Sequence, residues 1–250
     1  WNIPFLWKGR FIVTIHDLIP LHSWSARVTT KNVFTYAFKY FIMRFLIKRA
    51  VRESAGIITP TQFVKNDIIK IFGASLGVAE LAKKIHVINE GADVNGGQNT
   101  AQIMNWPCAQ QEATPYFLYV GVAYPHKNLK FMIRAFLEWK QLNPAPHRLV
   151  LIGADNYFYA RLSKKFANTS IIFRHNIPDT ELSAAYAGAT AFIFPSIDEG
   201  FGLPPLEAMA VGTPVLASRA SCIPEVLGRA AIYFDPFNSE SLKSTLTKFC

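Results

Sequence analysis

The sequence predicts an α/β protein with two doubly wound parallel sheets, and three features of its 250 residues support this prediction. Short apolar and β-branched runs alternate with longer stretches of mixed polarity, which is typical of strand–helix–strand units. The run Ala-Phe-Ile-Phe at 191–194 has no polar residue to face water, as expected for a strand covered on both faces. A stretch at 94–115 rich in Gly, Gln and Asn separates two halves that both show this alternation.

The first half, 1–93, contains strand candidates, each of which is a short apolar run that ends at a polar residue. Thr61 follows a proline after one of these runs and is expected to be the N-cap of the next helix. The predicted strands are 11–15, 56–59 and 85–88, and the predicted helices are 31–53 and 61–72.

The second half, 116–250, repeats the pattern more completely. We predict residues 94–115 to be the linker between the two domains, and Asp179 to be the N-cap of a helix. The predicted strands are 116–121, 149–153, 170–173, 191–194, 214–217 and 231–234. Helices are expected to begin after 128, at 155, after 179, near 204, after 222 and around 239.

Charge and cysteine usage limit the function classes. The net charge is +9, and residues 1–110 carry 13 Lys and Arg against 6 Asp and Glu, which favours an anionic partner in the first half. A basic, aromatic-interleaved nucleic-acid motif is lacking, so nucleic acid is not expected. The three cysteines, Cys108, Cys222 and Cys250, form no CxxC pair, which argues against a disulfide framework or zinc site and suits a cytoplasmic location.

The helix predicted at 31–53 leaves two interpretations open. Its Lys and Arg residues are spread among Phe, Tyr, Ile and Leu. Such a helix can lie peripherally on an anionic membrane, at the inner membrane face, or pack on the core with a solvated basic side. Charges at positions 39 and 44 exclude a simple transmembrane span.

The stretch 195–218, PSIDEGFGLPPLEAMAVGTPVLAS, carries the strongest chemical signal. Gly200 and Gly202 allow close approach of backbone to a ligand, and a helix restarting at Pro204 presents free N–H groups to an anion. Glu207, one turn inside that helix, is a hydrogen-bond acceptor suited to ribose hydroxyls. A buried strand–loop–helix with no ligand is the alternative interpretation.

Taken together, Glu199, seven residues and Glu207, with GFGLP between them and GTPVLAS after, closely resemble the signature of retaining glycosyltransferases of family 4. The resemblance implies a GT-B fold, with the first domain truncated because this family has further strands upstream. It also implies that Glu199 lies beside the donor sugar and that Glu207 binds the nucleotide ribose. The backbone of Gly200, Phe201, Gly202 and Leu203 would then meet the sugar and diphosphate.

Two further motifs match the same family. TIHDLIPL resembles the first-domain motif, which places His16 next to the donor sugar. YVGVAYPHKNL resembles the phosphate-binding stretch, with Gly121 at the strand end and Lys127 on the donor phosphates. Members of this family often carry an arginine here, where this chain has Val122 and His126. His126 supplies that charge only when protonated. The resemblance also places the Ile177 backbone against the nucleobase.

The resemblance therefore implies an enzyme that moves a hexose, with retention, from a nucleotide-sugar to an acceptor hydroxyl of a sugar, glycan or lipid-linked acceptor. GDP-mannose and a UDP-hexose both fit as donors, with a preference for GDP-mannose. No Asp-x-Asp motif is present, so neither a metal nor another cofactor is expected. The alternatives are a GT-B phosphorylase or epimerase, and a degenerate, non-catalytic protein that binds nucleotide-sugars.

Overall fold

The protein is described by a computed structural model that covers residue 7 and residues 9–22, 33–91 and 114–249. The chain divides into two compact units. The first unit extends to Glu90 and includes the separate segment Asp198–Phe201; the second comprises Gly91–Ile197 and the chain from Gly202 onward. The predicted linker, 94–115, lies outside the described residues except for 114 and 115, so the domain boundaries stay a prediction.

The first unit contains a parallel three-stranded sheet in the order β1-β2-β3. Its strands are β1 (Ile12–Thr14), β2 (Gly56–Thr59) and β3 (Ile85–Val87), close to the predicted positions. Its helices are α1 (Ile19–His22), α2 (Val33–Glu53), α3 (Gln62–Leu76) and α4 (Val78–Lys84). The short helices α1 and α4 were not predicted, because neither shows apolar periodicity over enough residues.

The core of the first unit forms where the two long helices cover the sheet. Buried side chains of β1 and β2, such as Val13 and Ile57, belong to one cluster with Ile47 of α2 and Ile68 of α3. Thr61 is the N-cap of α3, as predicted, and its hydroxyl accepts from the Val64 N–H at 3.2 Å.

The second unit contains a parallel six-stranded sheet in the order β6-β5-β4-β7-β8-β9. The order reverses between β4 and β7, which is the topological switch point of a doubly wound sheet. The strands are β4 (Tyr116–Val120), β5 (Arg148–Gly153), β6 (Ile171–His175), β7 (Ala191–Phe194), β8 (Val215–Ser218) and β9 (Ile232–Phe234). The helices are α5 (Leu129–Leu142), α6 (Tyr157–Lys165), α7 (Asp179–Ala187), α8 (Leu203–Ala210), α9 (Ile223–Leu227) and α10 (Ser239–Thr247).

Alternation along the strands builds a core on each face of this sheet. In β4, Phe117 and Tyr119 belong to one buried cluster, whereas Tyr116 and Leu118 belong to the other. Successive strand side chains point to opposite faces, so both faces are covered. The predicted fold class, α/β with two parallel sheets, is therefore confirmed.

One predicted cap is wrong. Asp179 is the first residue of α7, and Pro178 is its N-cap, without a side-chain cap. The carboxylate of Asp179 instead lies in the first turn, where the helix dipole favours a negative charge. A second helix start also differs, because α6 begins at Tyr157 with Asn156 as its N-cap, so Asp155 lies outside the helix.

Candidate functional site

In the second unit, the chain leaves β4 through tightly packed backbone at Gly121. Gly121 has φ +145°, a conformation that side chains rarely adopt, and the Tyr159 hydroxyl donates to its carbonyl at 2.8 Å. A Cβ on Gly153, at the end of β5, would overlap that carbonyl oxygen and the Tyr159 ring. Glycine is required at both positions to bring the ends of β4 and β5 together.

Lys127 ends the short 3₁₀ turn Pro125–Lys127 that follows β4. Asn128 then adopts a left-handed conformation with φ 58° and leads into α5. The Ile197 N–H donates to the His126 carbonyl at 2.9 Å, and Lys127 Nζ lies 6.0 Å from the centre of the Phe194 ring. The turn after β4 is thus attached to the chain leaving β7, so the lysine is held at the switch point of the sheet.

The N-terminus of α8 offers backbone donors at a restricted place. Gly202 is its N-cap with φ 99°, and no side chain caps this end. The first four N–H groups of a helix lack intrahelical partners, but Pro204 and Pro205 carry no N–H. The first-turn donors are therefore those of Gly202 and Leu203, where the positive end of the dipole favours an anion.

Glu207 lies farther along α8 and is held by a buried phenol. The Tyr186 hydroxyl donates to Glu207 Oε2 at 2.8 Å, and the Thr213 hydroxyl donates to the Tyr186 carbonyl at 2.6 Å. Burial raises the pKa of Tyr186 far above its usual range, and the nearby Glu207 carboxylate raises it further. The phenol consequently stays a neutral donor at any ordinary pH, and it fixes one carboxylate oxygen of a partly exposed Glu207.

Ile177 follows β6 directly after Asn176, whose φ is 51° and whose N–H donates to the Gly153 carbonyl at 3.2 Å. The side chain of Ile177 packs against the core cluster on one sheet face. The turn at Asn176 therefore fixes the position of the Ile177 main chain, which is the part of this residue that is expected to meet the nucleobase.

Ser196, just after β7, was missed by the sequence analysis. It is fully buried, and its hydroxyl has no partner within the part of the chain that the structure describes. Its carbonyl accepts a hydrogen bond from the Ser218 hydroxyl. A serine after a strand gives no sequence signal for this arrangement, since serine is common in such loops.

In the first unit, His16 follows β1 and contacts a residue that follows β3. Its Nδ1 lies 2.5 Å from Glu90 Oε1, and its side chain remains 65% exposed. The exposure leaves most of the imidazole accessible to a ligand, while Glu90 orients the ring.

The segment Asp198–Phe201, which carries the predicted Glu199, belongs to this first unit. A Cβ on Gly200 would overlap the carbonyl oxygen of His16. The buried Thr61 hydroxyl donates to the Gly200 carbonyl at 3.0 Å while it caps α3. Glu199 and Phe201 are both buried. The first unit therefore brings His16, Glu199, Gly200 and Phe201 together.

A second histidine in this unit, His22, was also missed. It lies between Asp67 of α3 and Asp198, with one ring nitrogen facing each carboxylate. In the described part of the chain, neither this trio nor any other group of His, Cys, Asp and Glu side chains could hold a metal ion. The absence of a metal stays a prediction.

The sequence model of the family described as "Glycosyl transferases group 1" matches residues 105–250, more than half of the chain. The chain belongs to this family. It is 29% identical over 246 residues to the O-antigen chain mannosyltransferase RfbU of Salmonella typhimurium, covering 95% of this chain and 64% of that protein. It is 30% identical over 257 residues to the serotype-specific mannosyltransferase WbdA of Escherichia coli, covering 97% of this chain and 29% of that protein.

Solved structures of similar fold include Anabaena HepE in complex with UDP and glucose, with a TM-score of 0.74 at 18% identity, covering 96% of this chain and 62% of that one. Sucrose-phosphate synthase from Thermosynechococcus elongatus matches with a TM-score of 0.73 at 18% identity, covering 97% of this chain and 59% of that one. These matches confirm the predicted GT-B class of fold. This chain spans less than two thirds of the length of the two mannosyltransferases, namely 64% of RfbU and 29% of WbdA.

Proposed function

We propose that this chain carries the donor site of a retaining hexosyltransferase that uses a nucleotide-sugar, GDP-mannose or a UDP-hexose, in glycan, lipopolysaccharide or glycolipid synthesis. One observation carries the proposal. Lys127 after β4 and the α8 N-terminus after β7 both follow the two strands at the switch point of the second sheet, where ligands of such sheets bind. The relatives named mannosyltransferases support mannose as the sugar that is moved.

In this proposal the diphosphate is held by Lys127 and by the N–H groups of Gly202 and Leu203. The bond from the anomeric carbon to the diphosphate oxygen breaks, the acceptor oxygen forms the new bond, and the acceptor proton leaves with the nucleoside diphosphate. Negative charge develops on the diphosphate as the bond breaks, so donors fixed beforehand lower the barrier. Glu207 would accept from the ribose hydroxyls with the oxygen that Tyr186 leaves free.

We further assign Gly121 and His126 to the backbone around the diphosphate, and the Ile177 main chain to the nucleobase. His16 and Glu199 are assigned to the donor sugar, with the backbone of Gly200 and Phe201 beside it. The support is that the first unit holds these four residues together through the contacts of Gly200. The acceptor is proposed to be a glycan or a lipid-linked sugar in the cytoplasm.

An exposed apolar stripe on α2 supports contact with an anionic membrane, at the inner face of that membrane. The stripe consists of Phe38, Phe41, Ile42 and Phe45, which are exposed and share one helix face by their spacing. The opposite face, with Ile47, is buried in the core. The core-packing interpretation of this helix is thus correct for one face, and the stripe needs a separate explanation.

The charges next to the stripe favour anionic lipid as its occupant. Exposed Arg44 and Lys48 each follow a stripe residue by three positions, and α2 has no acidic residue before Glu53. Exposed aromatics beside basic residues are typical of helices that lie in the interface of a bilayer. None of the described helices is long and apolar enough to cross one.

Turnover tests the proposed reaction. The chain is incubated with GDP-mannose or UDP-glucose and methyl α-mannoside as a simple acceptor, and release of GDP or UDP is measured with and without inorganic phosphate. We expect nucleotide release that needs no phosphate and falls in the Glu199→Gln variant. Release that requires phosphate would indicate a phosphorylase, and donor binding without release would indicate the non-catalytic alternative.

A further inference from the structure

His22 lies between two carboxylates of the first unit. Its Nε2 is 2.7 Å from Asp67 Oδ2, and its Nδ1 is 2.7 Å from Asp198 Oδ2. The side chains of Asp67 and Asp198 are only 12% and 17% exposed. The histidine thus connects α1 with α3 and with the segment Asp198–Phe201, which carries Glu199.

The geometry requires one proton more than a neutral imidazole supplies. A neutral ring donates from one nitrogen and has a lone pair on the other, whereas an imidazolium donates from both. Two ionised carboxylates at 2.7 Å each need a donor, so a neutral ring would leave one lone pair facing carboxylate oxygen. Only the protonated cluster makes both contacts favourable.

The electrostatics of the cluster agree with this count. Burial lowers the pKa of His22, but the hydrogen bond to Asp198 and the charges of Asp67 and Asp198 outweigh it and raise the pKa overall. Burial raises the pKa of Asp67, and the charge of Asp198 adds to this, against the opposing effects of His22 and Lys70. The raised pKa values of His22 and Asp67 both favour the state in which the cluster holds the extra proton.

We propose that His22 is a positioning residue, whose protonated ring clamps Asp198 to Asp67 and thereby holds the segment that presents Glu199. The part concerning Glu199 rests on the proposed function, in which that carboxylate meets the donor sugar. The clamp complements the contact of Gly200 with Thr61, which fixes the next turn of the segment but carries no titratable group. Loss of the proton replaces one hydrogen bond by repulsion and loosens the segment at Asp198.

Two substitutions separate the clamp from a purely structural role. His22→Gln removes the proton-binding ring. Asp67→Asn replaces one carboxylate by an amide, which can donate to a neutral ring while that ring donates to Asp198. In D67N the contact at Asp198 therefore no longer needs the extra proton. His86→Gln is the matched control, because His86 is an exposed histidine of the same unit on β3.

The experiment combines histidine ring NMR with amide hydrogen exchange of residues 198–201, expressed as protection factors, across pH 5.5 to 9. We expect His22 to titrate above the ordinary histidine pKa, and protection to fall as His22 loses its proton. In D67N the ring should titrate lower and protection should become nearly independent of pH; in H22Q protection should be low throughout. A His22 ring that titrates below the ordinary histidine pKa, or protection unchanged in both variants, would overturn the proposal.

Turnover of the nucleotide-sugar provides the readout at the active site. We expect an alkaline limb in its pH profile that disappears in D67N and stays in H86Q. Ring titration and hydrogen exchange need no nucleotide. A failure of the clamp can therefore be distinguished from a failure of the proposed function. An intact clamp without any turnover counts against the proposed function, whereas turnover without a clamp counts against this inference.

Discussion

The hydroxyl of Tyr186 and Oε2 of Glu207 form a 2.8 Å hydrogen bond that joins α7 to α8. Tyr186 is almost fully buried, and its raised pKa keeps the phenol a neutral donor to Glu207 even at alkaline pH. The carboxylate assigned to the ribose is thus oriented before any ligand binds, which lowers the ordering cost of binding.

We predict that Tyr186→Phe weakens binding of GDP or UDP and destabilises the fold by about 1–3 kcal/mol, because a hydrogen bond to a charged group is lost. Urea unfolding measures the free energy and calorimetry the affinity. Tyr157→Phe, an exposed tyrosine of α6, is the control and should change neither. Unaltered affinity in Y186F would show that the bond does not prepare Glu207 for binding.

We predict that Lys127→Ala weakens nucleoside diphosphate binding by roughly 10- to 100-fold, corresponding to about 1.5–3 kcal/mol for a contact to a charged group. Binding of the unphosphorylated nucleoside should not change, since the lysine is assigned to the phosphates alone. Lys130→Ala, an exposed lysine of α5, is the matched control. Equal losses for nucleoside and diphosphate would contradict the assignment.

We predict that Gly200→Ala lowers turnover and destabilises the first unit by about 1–3 kcal/mol, because its Cβ would overlap the carbonyl oxygen of His16. Gly56→Ala is the control, since a Cβ there meets only Ile12 at 3.8 Å, an ordinary contact. Thermal unfolding and nucleotide release measure the two effects. A fully active G200A variant would mean that the segment has room to move.

We predict a pH-dependent stability difference between the wild type and H22Q. The pKa of His22 is raised in the folded state, so its stabilising contribution is complete below the ordinary histidine pKa and is lost as pH rises through the raised value. Urea unfolding at several pH values should therefore give the largest difference at the acidic end. A difference that grows with pH would have the wrong sign.

We predict that the chain co-sediments with vesicles containing anionic phosphatidylglycerol and not with phosphatidylcholine vesicles, and that a Phe41→Ser, Phe45→Ser double variant loses this binding. The apolar stripe supplies buried area and Arg44 and Lys48 supply attraction, so added salt should weaken it. Phe237→Ser, an exposed phenylalanine of the second unit, is the control. A dimer that disappears in the double variant, without vesicle binding, would identify a second copy as the occupant.

The sequence was sufficient for the strands and for the starts of two helices. The run at 191–194 is a buried strand, as expected because all four of its residues are apolar. Helix α8 begins where a glycine followed by two prolines predicts a helix start. Thr61 was predicted as an N-cap from its neighbours alone. These features depend on interactions over a few residues, which a single sequence displays.

The missed features depend on partners that are distant in sequence. His22 and Asp198 are 176 positions apart, and Thr61 contacts the Gly200 carbonyl across 139 positions. Neither pairing leaves a periodicity or a motif. The cap at Asp179 was wrong for a different reason, since aspartate is also favourable in the first turn.

Calorimetric titration of this chain with GDP and with UDP tests the central claim most directly, with Glu207→Ala beside the control Glu138→Ala, a half-exposed glutamate of α5. The account predicts that one nucleotide binds, that the E207A variant binds it roughly 10- to 100-fold more weakly, and that E138A binds it as the wild type does. Equal affinity in E207A and the wild type, or no binding of either nucleotide, would contradict the claim that the second unit is a nucleotide-sugar site.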